Sequence, residues 1–195
     1  RGLWDDALVI VTSDHGEEFR EHGEFMHSQP YVENLAVPLM VKTHGGRNHH
    51  RPSEVVEMVD LMPSILELAG IEPPPLMQGR SVVPLLRGKS REASVALGRD
   101  KKILDRFTIR TQRYTLVHRF ADGRSEFYDR AEDPTELVDI AATSPDLVAE
   151  LKEELKRLVA VNAALAKTIL AGEVDGQHVL SPQEQQQLRA IGYVE

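Results

Sequence analysis

The chain contains no cysteine, no long apolar run and no excess of positive charge, and each absence narrows what it can be. None of its 195 residues is Cys, which excludes a disulfide framework and a thiolate zinc site. No run of about 18 apolar residues occurs, so no segment is predicted to span a membrane. The formal net charge of -8 argues against bulk nucleic-acid binding, because that binding needs a basic surface to neutralise phosphates.

The composition is typical of a globular protein with a hydrophobic core. Hydrophobic residues make up 41% of the chain and charged residues 28%. No signal-peptide pattern opens the sequence. Residues 1–6 read instead like the end of a helix and a turn into a strand inside a larger fold, so we expect the true amino terminus to lie upstream.

The most informative stretch is an apolar run that ends in an acid, an imidazole and a glycine. Residues 7–11 are all apolar, and Asp14, His15 and Gly16 follow shortly after. A strand that is apolar at every position is typical of a parallel sheet covered on both faces, and ligands gather beyond the carboxyl ends of such strands. Gly16 supplies a break that lets two adjacent side chains reach one ion. The pattern predicts a buried strand with a divalent metal site at its end, the alternative being a plain strand terminus.

These residues and several later segments together resemble the sulfatases of the alkaline phosphatase superfamily. The matching segments are residues 12–23, 27–28, 31, 37–41, 59–71, 79–86, 126–129 and 132–137. They occur in the family's order and are specific for the superfamily rather than for a substrate. The resemblance implies an α/β fold: the C-terminal half of an alkaline-phosphatase-like mixed sheet domain, with a small antiparallel sheet subdomain and C-terminal helices.

The resemblance also implies roles for three residues. Asp14 and His15 match the family's metal ligands, with Ca²⁺ as the expected divalent ion and Mn²⁺, Mg²⁺ or Zn²⁺ as alternatives. His27 matches the position where members carry Lys or His against the sulfuryl or phosphoryl oxygens, so we expect it to bind substrate and to act in catalysis. Nearby, a solvated acidic face is predicted for Glu17, Glu18, Glu21 and Glu24, and a solvated or structural role for His22.

The implied function is metal-dependent hydrolysis of a small-molecule or glycan sulfate ester. The family nucleophile, a Cys converted to formylglycine or a Ser near Pro and Arg, is not in this sequence, so we expect a fragment whose missing N-terminal half carries it. Two alternatives stay open. One is a two-metal phosphatase, phosphonate hydrolase or phosphotransferase of the same superfamily, in which His27 binds the second ion, and the other is an inactive fragment. The resemblance alone suggests a periplasmic or extracellular location.

Three parts are predicted along the chain: residues 1–90 in the catalytic domain, 91–142 in the small antiparallel sheet and 143–195 in a helical tail. In the first part, Ser53 is predicted to cap a helix that Gly70 closes. In the second, short alternating runs separated by turn residues predict a sheet with its polar face to solvent.

The third part is predicted to begin with a long helix. Ser144 and Pro145 provide a cap and a first-turn proline, and leucines then recur at three- and four-residue steps. We expect this apolar stripe to dock on the sheet, the alternative being a homo-oligomer through the 145–171 helix. A linker at residues 172–176 and a last short helix from Ser181 are predicted after it.

Overall fold

A computed structural model describes residues 2–46 and 50–171. The chain separates into two compact units, Arg1–Val159 and Ala160–Glu195. The linker and the last helix predicted after residue 171 lie outside the described residues, and the three-part division of the chain stays a prediction. Within the described ranges, no helix combines the length and the apolar character that crossing a bilayer requires.

The apolar run near the start forms strand β1 (Val9–Thr12), but its surroundings differ from the prediction. It pairs antiparallel with β4 (Leu39–Lys42) in a two-stranded ribbon. Val11 and Met40, which pair across the ribbon, are 49% and 58% exposed. The expectation of a buried strand in a parallel sheet is therefore wrong for the described residues, because burial on both faces needs covering layers that they do not provide.

The connection from β1 to β4 carries most of the chemistry-bearing residues. Strands β2 (Glu18–Phe19) and β3 (Phe25–Met26) pair antiparallel as a small hairpin, and the one-turn helix α1 (Val32–Leu35) follows. Gly16 fixes this connection against α1, because its backbone amide donates a 2.9 Å hydrogen bond to the Asn34 carbonyl.

The middle of the chain is helical but begins later than predicted. Helix α2 (Leu61–Ala69) follows a 3₁₀ turn at Met58–Asp60 and ends at the predicted Gly70, which adopts a left-handed conformation with φ of 69°. The prediction that Ser53 caps this helix is wrong, because the helix begins at Leu61 and the capping box of Glu57 and Asp60 belongs to the 3₁₀ turn that leads into it. Helix α3 (Val83–Leu86) completes the region.

Asp60 joins three segments of this region. Its buried carboxylate accepts hydrogen bonds from the backbone amides of Glu57 and Arg80, at 3.1 and 2.7 Å. It also pairs with the Arg91 guanidinium at 2.8 Å. These contacts tie the start of α2 to the segment that leads into the following sheet.

Four strands then form one antiparallel sheet in chain order, as predicted. They are β5 (Ala96–Arg99), β6 (Arg106–Arg110), β7 (Tyr114–Arg119) and β8 (Ser125–Asp129). Together with the ribbon and the helices, this sheet confirms the predicted α/β class with a small antiparallel sheet and a C-terminal helix.

One face of the sheet packs against helix α4 (Pro145–Ala171), which begins at the predicted proline. Leu155 is fully buried in a cluster with Ile109, Leu116 and Phe127, which lie on strands β6, β7 and β8. Val148, Leu151, Leu158 and Val159 pack around that cluster. The predicted docking on the sheet is thus confirmed for this stretch of α4.

The other face of the sheet is polar, as predicted, but it is covered rather than solvated. The Thr108 hydroxyl donates to the Pro30 carbonyl at 2.7 Å, and the Tyr31 hydroxyl donates to Glu126 at 2.6 Å. Leu35 from α1 also lies against this face, since a Cβ added to Gly98 would meet it at 2.7 Å. The predicted exposure is wrong because hydrogen bonds to the segment before α1 satisfy these polar groups inside the protein.

Candidate metal centre

Asp14 and His15 lie where β1 ends and the chain turns. The backbone amide of His15 donates to the Asp14 carboxylate at 3.0 Å, and the Ser13 hydroxyl donates to the His15 carbonyl at 2.7 Å. Hydrogen bonding from the backbone, followed by the proximity of the His15 imidazole, holds the pKa of Asp14 below its ordinary 3.8. The Asp14 side chain is exposed, so it is an available, ionised oxygen donor next to an imidazole.

Gly16 lets the next turn pass close to α1. A Cβ at this position would lie 1.8 Å from the Glu33 carbonyl oxygen, a distance that no side chain tolerates. The prediction that Gly16 ends the strand through an unusual dihedral angle is wrong, because β1 already ends at Thr12 and Gly16 does not have a positive φ. Glycine is needed here because two backbone segments approach closely.

The structure brings two of the three predicted site residues into direct contact. The rings of His15 and His27 stack with their centroids 3.9 Å apart. Asp14 stands at the edge of this pair, with its Oδ2 atom 3.7 Å from Nε2 of His15.

Glu17 is a further member of the cluster that sequence reasoning assigned to a solvated face. Its Oε2 atom lies 3.5 Å from Nδ1 of His27. Potential ligand atoms of His15, Glu17 and His27 all lie within 4.8 Å of one another. The spacing of His15 and Glu17 could have revealed this, because residues two apart in an extended segment point to the same side.

The donor set fits a divalent cation. It contains two imidazoles and a carboxylate, with the Asp14 carboxylate next to them, and mixed nitrogen and oxygen donors suit ions such as Mn²⁺ or Zn²⁺. Nδ1 of His27 is buried and has no hydrogen-bond partner among the residues that the structure describes. A cation or an anionic substrate bound at this cluster would provide the His27 imidazole with a partner.

Asp14 also borders a cleft of about 550 Å³. Leu35, Glu57, Gly98 and Arg110 are among the residues that line it, so the cleft runs between α1, the segment before α2 and strands β5 and β6. Its apolar walls with a few charged groups are typical of a small-molecule site. His27 does not line the cleft, so only Asp14 connects the two features.

Comparison with known proteins assigns the chain to a family. A family model described as N-sulphoglucosamine sulphohydrolase, C-terminal, matches residues 20–161. Arylsulfatase K from Mus musculus is 32% identical over 171 residues, which cover 80% of this chain and 31% of that protein. The multifunctional alkaline phosphatase superfamily protein PehA from Trinickia caryophylli is also 32% identical, over 72% of this chain and 31% of its own length. The chain thus spans about a third of these curated relatives.

Solved structures share the fold. BT4656, solved in complex with its substrate D-glucosamine-2-N,6-O-disulfate, superposes with a TM-score of 0.67 at 26% identity, over 91% of this chain and 37% of that one. The phosphonate monoester hydrolase of Agrobacterium radiobacter superposes with a TM-score of 0.63 at 25% identity, over 84% and 36%. These matches confirm the resemblance drawn from the sequence. Since the family model covers well over half of its residues, the chain belongs to the sulfatase family, as part of its N-sulphoglucosamine sulphohydrolase C-terminal group.

Proposed function

We propose that this chain forms the C-terminal part of the active site of an enzyme that hydrolyses sulfate esters with the help of a divalent cation. The observation that carries the proposal is the cluster of His15, Glu17 and His27 with Asp14 at its edge, just beyond the end of β1. Arylsulfatase relatives, and a structural neighbour whose substrate is a disulfated glucosamine, support a sulfated sugar or another small sulfate ester as the substrate class.

In this proposal Asp14 and His15 hold the cation. A divalent ion supplies positive charge to the ester oxygens and activates the attacking group. The resemblance favours Ca²⁺, whereas the imidazole donors next to Asp14 favour Mn²⁺ or Zn²⁺, because Ca²⁺ prefers oxygen ligands. Metal analysis of the purified protein decides between them.

His27 is proposed to donate a hydrogen bond to a non-bridging oxygen of the ester. Glu17 lies next to the ring, with its Oε2 atom 3.5 Å from Nδ1 of His27. Stacking on His15 holds the ring from one side. Both contacts restrict the imidazole to one arrangement, which is what a substrate-binding donor requires.

Replacing His27 tests this role. In a longer protein that carries the family nucleophile, we expect His27→Ala to lower kcat/KM for a model aryl sulfate by about 100-fold, since loss of one positioned donor or proton-transfer group has effects of that order. His44→Ala is the matched control, because His44 is exposed on the loop after β4 and pairs with Asp6 at 3.4 Å. A change below about threefold in the His27 variant contradicts the proposed role.

Hydrolysis of phosphonate or phosphate esters is a second candidate. It is favoured by the similarity to PehA and to phosphonate monoester hydrolases from Agrobacterium radiobacter and Silicibacter pomeroyi. Parallel assays with an aryl sulfate and an aryl phosphonate monoester compare the two by their kcat/KM values. In the two-metal form of this candidate His27 is itself a ligand, so His27→Ala would also remove one equivalent of bound metal.

We also propose, from the family resemblance, that the protein acts in the periplasm or outside the cell. A sulfated glycan is a substrate that an enzyme would meet there. Immunoblotting of periplasmic, secreted and cytoplasmic fractions of the native host tests the location. Recovery of the protein in the cytoplasmic fraction alone contradicts it.

A further inference from the structure

A second cluster of metal-binding residue types lies on the opposite side of β2 from the candidate metal centre. Glu17 and Glu18 are neighbours in an extended segment, so their side chains point to opposite sides. Glu18 is completely buried and faces His22 and Glu33. Potential ligand atoms of Glu18, His22 and Glu33 all lie within 4.8 Å of one another. This group shares no residue with the first cluster.

Two carboxylate oxygens in this buried group lack hydrogen-bond donors. Oε1 of Glu18 accepts hydrogen bonds from the Gln29 side chain at 2.8 Å and from the Glu24 amide at 3.2 Å. Oε2 of Glu18 and Oε2 of Glu33 are buried and have no partner among the described residues. A buried carboxylate oxygen without a donor is costly, so this arrangement calls for a positive group between the two acids.

His22 presents one ring nitrogen to these acids. Its Nε2 atom lies 2.7 Å from the Glu136 carbonyl oxygen, which can only accept, so Nε2 carries hydrogen. Nδ1 therefore faces Glu33, at 2.7 Å from Oε1. A ring nitrogen that faces acids while the other donates to a carbonyl is the usual arrangement of a metal-binding histidine.

The neighbouring buried carboxylate already has partners. Glu136 pairs with Arg110 at 3.3 Å, and its oxygens accept hydrogen bonds from the Thr115 hydroxyl and the Val32 backbone amide. Among these three carboxylates, the oxygens that lack a donor in the described part of the chain are therefore those of Glu18 and Glu33.

We propose that Glu18, His22 and Glu33 bind a divalent first-row cation such as Mn²⁺ or Zn²⁺, at a structural site distinct from the one at Asp14 and His15. Two carboxylates and an imidazole are donors that these ions prefer. The ion would join β2 to α1 and, through the Glu136 carbonyl, to the segment after β8. It would thereby hold in place the connection that carries the first cluster.

The test separates the two sites by substitution. The purified D14A/H15A protein, stripped with EDTA and titrated with Mn²⁺, is expected to bind one equivalent of Mn²⁺ and to gain thermal stability from it. This variant leaves the buried cluster unchanged, so its result does not depend on whether substitutions there fold. Binding of no Mn²⁺ by D14A/H15A overturns the proposal.

A second comparison assigns the remaining ion to the buried cluster. Adding Glu33→Gln to D14A/H15A is expected to abolish both Mn²⁺ binding and the gain in thermal stability. Glu24→Gln is the matched control, because Glu24 lies in the same hairpin and its exposed carboxylate pairs with Lys102. Retention of the full equivalent of Mn²⁺ in the variant that carries Glu33→Gln also overturns the proposal, because the ion would then lie elsewhere.

Discussion

Among single residues, Gly16 determines where the candidate ligands stand. It follows Asp14 and His15 directly and packs its backbone against the Glu33 carbonyl of α1, a contact that leaves no room for a Cβ. Any larger residue must push the turn away from α1 and break the hydrogen bond to the Asn34 carbonyl. The positions of Asp14 and His15 relative to His27 therefore depend on this one residue.

In a longer protein that carries the family nucleophile, we expect Gly16→Ala to reduce aryl sulfate turnover about 100-fold, because a displacement of about 1 Å at a catalytic group has an effect of that size. Gly23→Ala is the comparison, since Gly23 has no neighbour within 4 Å and only its positive φ of 89° is strained by a side chain. Its cost is about 1–2 kcal/mol of stability, with little change in turnover. Equal turnover in the Gly16 variant and the wild type would show that the turn can shift without consequence.

His118 makes the stability of the sheet depend on pH. It lies on the side of β7 that faces α4, with Nδ1 2.9 Å from the Ser125 hydroxyl. Burial, followed by the charges of Lys152 and Lys156, lowers the pKa of His118 below its ordinary 6.5. The unfolded chain therefore binds this proton more readily than the folded chain. Stability that is fully present above the unfolded pKa is lost as the pH falls from there through the lowered folded pKa.

We expect the melting temperature to decrease between about pH 7 and about pH 5, in part because of this histidine. His118→Asn removes the titrating group and should flatten the curve over this range. Lys152→Gln should flatten it partly, because it removes one of the two charges that disfavour the imidazolium. Melting curves at several pH values check both, and an unchanged slope in His118→Asn contradicts the assignment.

The residues of the candidate site differ in how readily the sequence reveals them. Asp14, His15 and His27 follow from a strand end and a family resemblance, both of which are local patterns in the chain. Glu18 and Glu33 carry no such signal, since their approach depends on how the β2–β3 hairpin folds back on α1. Charged residues in a loop read as solvated unless the fold that buries them is known.

At the scale of elements, α4 and the sheet form the main apolar contact of the first compact unit. Leu155 is completely buried between Ile109, Leu116 and Phe127. Its side chain joins a helix to three strands, so few alternative arrangements could fill the space that it occupies. The stability of this layer therefore reports whether α4 is docked.

We expect Leu155→Ala to lower the free energy of unfolding by about 2–5 kcal/mol, the usual range for a buried leucine that leaves a cavity. Leu137→Ala is the control, because Leu137 is exposed and should change stability by no more than about 0.5 kcal/mol. Urea denaturation measures both. A loss below about 1 kcal/mol in the Leu155 variant would mean that α4 leaves the sheet without penalty.

Element boundaries were predictable where the signal is local. Pro145 at the start of α4, Gly70 at the end of α2 and the alternating runs of the sheet each act through the chain next to them. The cover over the polar face was not predictable, because it depends on pairs such as Thr108 with Pro30 that are far apart in sequence. The exposure of the β1–β4 ribbon was not predicted for the same reason, since an apolar run does not reveal which other elements cover the two faces of the strand.

At the scale of the whole molecule, the chain spans 31% of arylsulfatase K from Mus musculus and contains the proposed ligands Asp14 and His15. The family resemblance implies a nucleophile that this sequence does not contain. We therefore expect the 195-residue chain alone to give no aryl sulfate hydrolysis above background, whereas a longer protein that carries the nucleophile is active. A discontinuous assay with added Mn²⁺ or Ca²⁺ checks this. Metal-dependent turnover by the chain alone contradicts it.

The four-stranded sheet has an apolar face and a polar face, and both are covered by other parts of the protein. In β8, Phe127 points to the apolar face, while Glu126 and Tyr128 point to the polar face, so successive residues alternate between the two faces. A single residue inserted within that strand would turn a carboxylate to the apolar face and a phenyl ring to the polar face. The spacing of residues therefore constrains this strand more tightly than its composition does. Substitutions that keep an apolar or a polar side chain on its own face are tolerable, whereas an insertion that shifts the register is not.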